Sequence, residues 1–392
     1  MGWMVPATAL GMDQVSVLNS TLNSSNRITW IKGFAGSGKT VLLMHLMLRL
    51  AEQQPNSSFI FLSYTHAMKD LITNGLPVSL KRRVRIETLK AFVKGQKKSR
   101  RIYDYVFLDE VQDAEIGDLQ AVALSAGSRL FVAGDPNQSI YTQAADPESF
   151  QRILNNPEPK SLSIVYRLTE SLKRIAQFVL PTAHLENARL PANSGKIGSK
   201  AVYKHYDSVD EEIKGVWSAA TDFGVAQAGN PAAILLPCHE AIIEFISGVL
   251  GRRVYIDFNS YLGRKTGYEK INSELRAEGF PLRYLGNGIG TLDESEGQKI
   301  IYIMTYHSSK GLDFNNVFLP FLDSGYANAK YQDESYFNTL LFVALTRSRL
   351  QLNLSSHTGR PISQVTMMLD NNLLIVDNSK GGSSDPDVDF DF

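Results

Sequence analysis

The chain has a single cysteine, Cys238, among 392 residues. One thiol excludes an intramolecular disulfide and a cysteine-based zinc site. No apolar run is long enough for a membrane-spanning helix. The opening residues, Met1-Gly2-Trp3-Met4-Val5-Pro6, lack the basic flank and apolar stretch of a secretory leader. These absences lead to the expectation of a reducing cytoplasm and no membrane partner. Neither sign of charge is in excess, with 40 basic and 40 acidic residues. Hydrophobic residues at 43% and charged ones at 20% exclude wholesale disorder. The length implies two or three domains.

The distribution of charge carries more than its sum. Between Lys81 and Arg101 ten basic residues face one acid, Glu87, whereas the last sixteen residues hold five aspartates against Lys380. A local basic excess in a neutral chain is either a solvated loop or a contact for a polyanion.

Short apolar strands alternate with helical patterns, the arrangement of α/β units around a parallel sheet. Strands are expected at Ile28–Ile31, Phe59–Leu62, Tyr105–Leu108, Arg129–Ala133, Ala232–Leu236, Lys299–Met304, Val317–Pro320 and Leu350–Leu354. Helices are expected after Lys39, over Tyr166–Val179, His239–Leu250 and Tyr336–Thr346. The turn residues Asn155-Asn156-Pro157-Glu158-Pro159 suggest a crossing between halves. From Ser379 the composition is that of a flexible tail.

Gly33-Phe34-Ala35-Gly36-Ser37-Gly38-Lys39-Thr40 fits G-x-x-x-x-G-K-[ST] between an expected strand and helix, the context of a P-loop. Its glycines let several backbone N–H groups face one phosphate cluster at a helix N-terminus. Lys39 supplies a charge for the β- and γ-phosphates, and the Thr40 hydroxyl can bind Mg²⁺. The strand Tyr105–Leu108 delivers Asp109-Glu110-Val111-Gln112-Asp113 at its carboxyl end, where ligands bind in open α/β sheets. Asp109 is placed to hold Mg²⁺, and Glu110 to orient and deprotonate an attacking water.

With these residues in view, the chain resembles a superfamily 1 helicase of the UvrD/Rep type, from about residue 10 to 355. Asp109–Asp113 resembles motif II of that family. Gly134-Asp135-Pro136-Asn137-Gln138-Ser139-Ile140-Tyr141 resembles motif III, which gives Gln138 the role of γ-phosphate sensor. Tyr166-Arg167 resembles motif IV, with the tyrosine on adenine and the arginine on the γ-phosphate. Thr305-Tyr306-His307-Ser308-Ser309-Lys310-Gly311-Leu312-Asp313-Phe314 resembles motif V, and Val343-Ala344-Leu345-Thr346-Arg347-Ser348-Arg349 resembles motif VI, with Arg347 as second arginine finger. Gln14 stands where the family reads the adenine edge. Phe59 to Met68, with Thr65 and His66, resembles motif Ia, and Ile86-Glu87-Thr88-Leu89 more loosely the following nucleic-acid contact motif.

The resemblance implies an α/β fold of two RecA-like domains, each a mostly parallel sheet flanked by helices, with ATP and Mg²⁺ in the cleft between them. The domains expected are 1–153 and 154–376, with an acidic tail over 377–392. Catalytic roles fall on Lys39, Asp109, Glu110, Gln138, Arg167 and Arg347. Nucleotide contacts fall on Gln14, Gly33, Gly36, Ser37, Gly38, Lys39, Thr40, Tyr166, Gly311 and Asp313, and metal contacts on Thr40 and Asp109. Thr65, His66, Thr88, Lys94, Lys97, Lys98, Thr305 and His307 are the expected contacts to single-stranded nucleic acid, DNA favoured over RNA. The implied activity is ATP-dependent translocation or unwinding in the 3′–5′ direction. The alternative is a nucleic-acid-stimulated ATPase switch that clamps a strand and recruits a partner such as a nuclease.

Three departures bear on that choice. Phe92 stands seventeen residues before Asp109, so the family's first accessory insertion is missing, and Tyr166 to Thr305 leaves room for little more than a core domain. Motif III continues as Thr142-Gln143-Ala144-Ala145, where the family has an aromatic residue and an arginine. Base stacking contributes about 1–3 kcal/mol per base, and Gln143 cannot supply it. Val41 follows Thr40, where the family often lays an arginine on the adenine. The tail Asp385-Pro386-Asp387-Val388-Asp389-Phe390-Asp391-Phe392 is either a solubilising end or a docking peptide for a protein partner.

Overall fold

A computed structural model describes residues 4–135, 139, 144–192, 200–222, 224–323, 333–357 and 360–379. Two parallel sheets organise them. The first runs β3-β2-β4-β5-β1-β6, built from β1 (Ile28–Gly33), β2 (Phe59–Ser63), β3 (Val84–Thr88), β4 (Tyr103–Leu108), β5 (Ala126–Gly134) and β6 (Glu158–Leu162). The second runs β13-β7-β12-β11-β8-β10-β9, from β7 (Lys200–His205), β8 (Ala232–Leu236), β9 (Leu282–Tyr284), β10 (Ile301–Thr305), β11 (Phe314–Leu319), β12 (Ser348–Ser356) and β13 (Ile375–Val376). All registered strand pairs are parallel. Parallel strands need helical crossovers on both faces, which is why the central strands are buried on both sides. β2 and β8 are buried at every residue.

One face of the first sheet carries an aromatic stack. Phe61, Phe107 and Phe131 stack across β2, β4 and β5, with ring centroids 6.2 and 5.0 Å apart. Such pairs add to the apolar burial that dominates the fold. Helix Lys39–Gln53 packs behind them, burying Leu42, Leu43, Leu46, Met47 and Leu50.

Two sequence expectations change. The turn at Asn155 and Asn156, both in the left-handed region, returns the chain to the first sheet, where Glu158–Leu162 pairs beside β1. The expected division at 153/154 therefore falls before the last strand of that sheet. The helix expected over Tyr166–Val179 begins at Glu170, capped by the Thr169 hydroxyl accepting from the Leu172 N–H. Tyr166 to Thr169 are held out of it because the Tyr166 N–H donates to the Gly36 carbonyl at 2.9 Å. No described helix is long and apolar enough to cross a membrane.

At the carboxyl edge of the second sheet, His357 fastens three elements. Its Nδ1 stands 2.5 Å from Glu212 Oε2 and 3.3 Å from Asp323 Oδ2, both carboxylates being buried. The Glu212 Oε1 also accepts from the Phe321 N–H and the Ser355 hydroxyl. Two ligands of one zinc ion stand farther apart than 2.5 Å, so this spacing is that of a hydrogen bond. The bond to Glu212, with Asp323 and Glu244 near, raises the His357 pKa above its ordinary 6.5. Stability from this tie is therefore fully present below pH 6.5 and is lost as pH rises through the folded-state value. Urea unfolding midpoints should fall between pH 6 and pH 8.5, and His357→Gln should remove that part of the fall. An identical pH profile in the variant would rule the tie out.

Candidate nucleotide site and polynucleotide seam

The first sheet presents the P-loop at the carboxyl end of β1. Gly36 and Gly38 adopt φ of +79° and +84°, the left-handed region that curls the loop. A Cβ on Gly36 would lie 2.6 Å from the Arg167 Cβ, so glycine here also admits Arg167 to the loop. Lys39 begins the helix and is buried; its ammonium donates to the carbonyls of Gly33 and Phe34 at 2.8 and 3.1 Å. Burial depresses its pKa, opposed by Glu110, Asp135 and Asp109. The Ser37 hydroxyl is buried with no hydrogen-bond partner. A buried cation turned onto its own carbonyls beside an orphaned hydroxyl is a site built for an anion.

Asp109 follows β4 directly, and its Oδ2 accepts from the Thr40 hydroxyl at 2.5 Å. Burial and the neighbouring Glu110 raise its pKa. Paired carboxylate and hydroxyl oxygens at this position are the donor set that Mg²⁺ prefers. Glu110 is held at φ +52°, uncommon for a residue with a side chain. Burial works against its charge, but Lys310 and Lys39 outweigh that and hold it ionised. Its Oε2 accepts from the Gln112 amide at 2.5 Å, and the Gln112 oxygen accepts from the Asp135 N–H at 3.2 Å. Gln112 thus links the carboxylate to the start of motif III.

Gln14 lies over the loop, accepting from the Gly11 N–H and donating to the Ser37 carbonyl, each at 3.0 Å. Tyr166 lines the same cavity and donates to Asp13 Oδ1 at 2.5 Å.

The second sheet closes the site. Arg347 donates to the carbonyls of Val343 and Leu312 at 2.8 and 3.0 Å and to the Thr346 hydroxyl at 3.0 Å, all from its own half. Burial and Arg167 push its pKa down to about 9, which leaves it cationic at neutral pH. Arg167 donates to Asp313 Oδ2 at 2.9 Å, and Arg349 to Asp313 Oδ1 at 2.7 Å. One cavity of about 460 Å³ is lined by Gln14, Gly36, Gly38, Lys39, Thr40, Glu110, Tyr166, Arg167, Gly311, Asp313, Arg347 and Arg349. Both arginines therefore share the Lys39 pocket. Gln138 lies outside the described residues, as do Thr142 and Gln143.

Sequence reasoning quoted Lys310, Asp113, Gln112 and Arg349 within motifs and gave them no role. The Lys310 ammonium bonds Asp113 across the cleft and stands 3.9 Å from Glu110 Oε2, with all but Glu110 nearly sealed from solvent. Reversal of charge sign between motif II and motif V was the available signal.

The expected polynucleotide contacts separate into two groups. Thr65 and Thr88 cap the helices after β2 and β3, accepting from the Met68 and Ala91 N–H groups. His66 is exposed at the first of these ends and faces the Gly288 loop of the second half. Thr305 bonds Ser308 at 3.0 Å, and His307 bonds the Tyr336 hydroxyl at 2.8 Å. Burial first, then His239 and Lys310, push the His307 pKa down to about 4, so its ring is uncharged at neutral pH. The His66 end and the motif V loop border one seam, with Gly288 against the His66 ring and Gly311 against Met68. Lys94, Lys97 and Lys98 lie instead on the later turns of helix Leu89–Lys98, roughly 9–15 Å from Thr88 along its axis. Lys98 lines a separate hollow with Arg85, Arg101 and Tyr103. The structure does not bring these lysines to the seam, because the helix that starts there runs away from it.

A P-loop with Arg167 beside it and Arg347 reaching in from the second parallel sheet defines a two-lobed nucleoside-triphosphate-binding core. Residues 29–174 match the family described as viral superfamily 1 RNA helicase core domain, and residues 300–355 the UvrD-like helicase C-terminal domain. The chain belongs to the superfamily 1 helicases of UvrD type. A relative from Acanthamoeba polyphaga mimivirus, named as a putative ATP-dependent DNA helicase, is 22% identical over 256 residues, covering 63% of this chain and 34% of its own. The chain thus spans about a third of that relative's length. Among solved structures, the helicase nonstructural protein 10 of an arterivirus is similar at 14% identity with TM-score 0.42, covering 92% of this chain and 64% of that one. Its complex with DNA gives 14% and 0.41, covering 91% and 65%.

Removing one partner of the cross-cleft pair leaves a buried charge, which costs about 3–5 kcal/mol. Lys310→Met should destabilise the protein by that order in urea titrations, and Asp113→Asn/Lys310→Met should recover much of it. Strictly additive losses in this cycle would show that the two groups do not interact.

Proposed function

We propose that the chain is the motor core of an ATP-driven translocase on single-stranded nucleic acid, with DNA favoured and movement 3′ to 5′. The observation that carries the reading is that Arg167 and Arg347 line the same cavity as Lys39, Thr40 and Glu110. Phosphoryl transfer is accelerated by positive charge preorganised around the departing γ-phosphate. Lys39 and Arg167 bind the phosphates, Arg347 meets the charge that develops on transfer, and Glu110 accepts the proton of the attacking water. Thr40 and Asp109 would hold Mg²⁺, which would neutralise phosphate charge there. Tyr166 and Gln14 frame the base. Since Arg347 hangs from the second half, the charge set is complete only when the halves close, and closure is the stroke. The expected cytoplasmic setting, with its reduced Cys238, is retained in this reading.

The clamp reading keeps one observation in its favour. Phe92 lies on helix Leu89–Lys98, which passes directly into β4, so no accessory domain stands between them. A clamp turns over slowly whatever the strand length; a translocase does not. Steady-state ATPase should therefore rise with oligonucleotide length and then level off, tested on oligo-dT and oligo-U in parallel. A rate flat with length would leave the clamp. Replacing Glu110 by Gln should lower kcat by about 10²–10⁴-fold while ATP still binds, and normal turnover in that variant would remove Glu110 from its role.

A further inference from the structure

The aromatic residue absent from the continuation of motif III leaves a strand on the first half without its stacking partner. The second half offers aromatic surface on the same seam. Helix Tyr261–Ala277 precedes β9 and runs back along it, so its first turn stands at the carboxyl edge of the second sheet. There Tyr261 is 60% exposed, and its hydroxyl reaches the Asn287 carbonyl at 3.5 Å. The chain from Gly286 to Gly288 ties this corner to the His66 end and to the motif V loop. A Cβ on Gly286 would lie 2.8 Å from the Ser308 hydroxyl, and one on Gly288 would lie 3.5 Å from the His66 ring.

Further along, aromatic packing fixes the helix that carries Tyr261. Tyr268 and Tyr284 stack with centroids 3.6 Å apart and planes within 8°. His239 bonds the Tyr268 hydroxyl at 2.8 Å, packs on Phe258, and lies within electrostatic reach of His307. Arg264 stands one turn after Tyr261 on the same helix, so the two side chains share a face. An exposed phenol with a guanidinium one turn away is what sequence-tolerant base stacking and phosphate contact require.

We propose that Tyr261 is a base-stacking residue and Arg264 a phosphate contact of the single-strand path, placed on the second half between the His66 end and the motif V loop. This rests on the polynucleotide reading above. The occupant is an unpaired strand rather than a duplex, since a base must leave its partner to lie flat on a phenol ring. With Tyr261 on the moving half and His66 on the other, each closure carries the stacked base relative to the first half.

The test uses the full chain and 12-mers of dT or U carrying one 2-aminopurine, read by anisotropy and by 2-aminopurine quenching. Tyr261→Ala should weaken binding by roughly 5- to 150-fold and abolish quenching at one position of the oligomer. Tyr261→Phe, which keeps the ring, should restore both. Arg264→Ala should lower the slope of log affinity on log salt by about one. Wild-type affinity and quenching in the alanine variant would overturn the stacking role alone and mark the corner as a surface for another protein. Failure of the wild-type chain to bind either oligomer would overturn this proposal together with the polynucleotide reading.

Discussion

Charge balance across the cleft is the constraint on which the rest of this molecule depends. Asp109, Glu110 and Asp113 come from the strand and turn of the first half, and Lys310 and Arg347 from the second. Each group is costly to bury alone and tolerable only beside its opposite. The two sheets therefore cannot be understood as separate bodies that happen to touch. A buried ion pair contributes little net stability compared with apolar packing, but it is exacting about geometry. Lys310 on Asp113 fixes where the second half sits, and Asp313 fixes how Arg167 and Arg349 approach.

The same charges explain why the hydrolytic carboxylates differ. Asp109 and Glu110 are adjacent in sequence and both buried, yet burial raises the first while Lys310 and Lys39 keep the second ionised. Two neighbouring acids pushed in opposite directions can take different roles, one holding a cation and one taking a proton. The second half supplies part of that difference through Lys310, so the ionisation of Glu110 depends on the lobe across the cleft.

Much of this was legible in the sequence because it is local. A strand, a glycine turn and a helix in succession dictate the P-loop, and an apolar strand ending in Asp-Glu dictates where the carboxylates fall. His239–Leu250 reads as a helix from its apolar spacing alone. Residues 84–88 did not read as a strand, since Arg85 and Glu87 on an edge strand look like loop charge. Tyr166–Thr169 read as helix because periodicity cannot see the bond from its backbone to Gly36, which is tertiary. Lys94, Lys97 and Lys98 read as strand contacts from the density of basic charge between Lys81 and Arg101, whereas their helix carries them along its axis. Tyr261 escaped notice for the opposite reason, because nothing near it in sequence announces the seam it borders.

The first sheet is closed by residues 28–162, one uninterrupted stretch, and Arg167 follows five residues later. Arg347 comes 180 residues after Arg167. A ribosome adding about 5–20 residues per second needs roughly 9–36 s to cover that interval. The phosphate cradle is thus synthesised well before the arginine that the second half brings to it. If the pocket works as proposed, its order of synthesis acts as a safety catch, since the charge set stays incomplete until the last strands of the second sheet emerge.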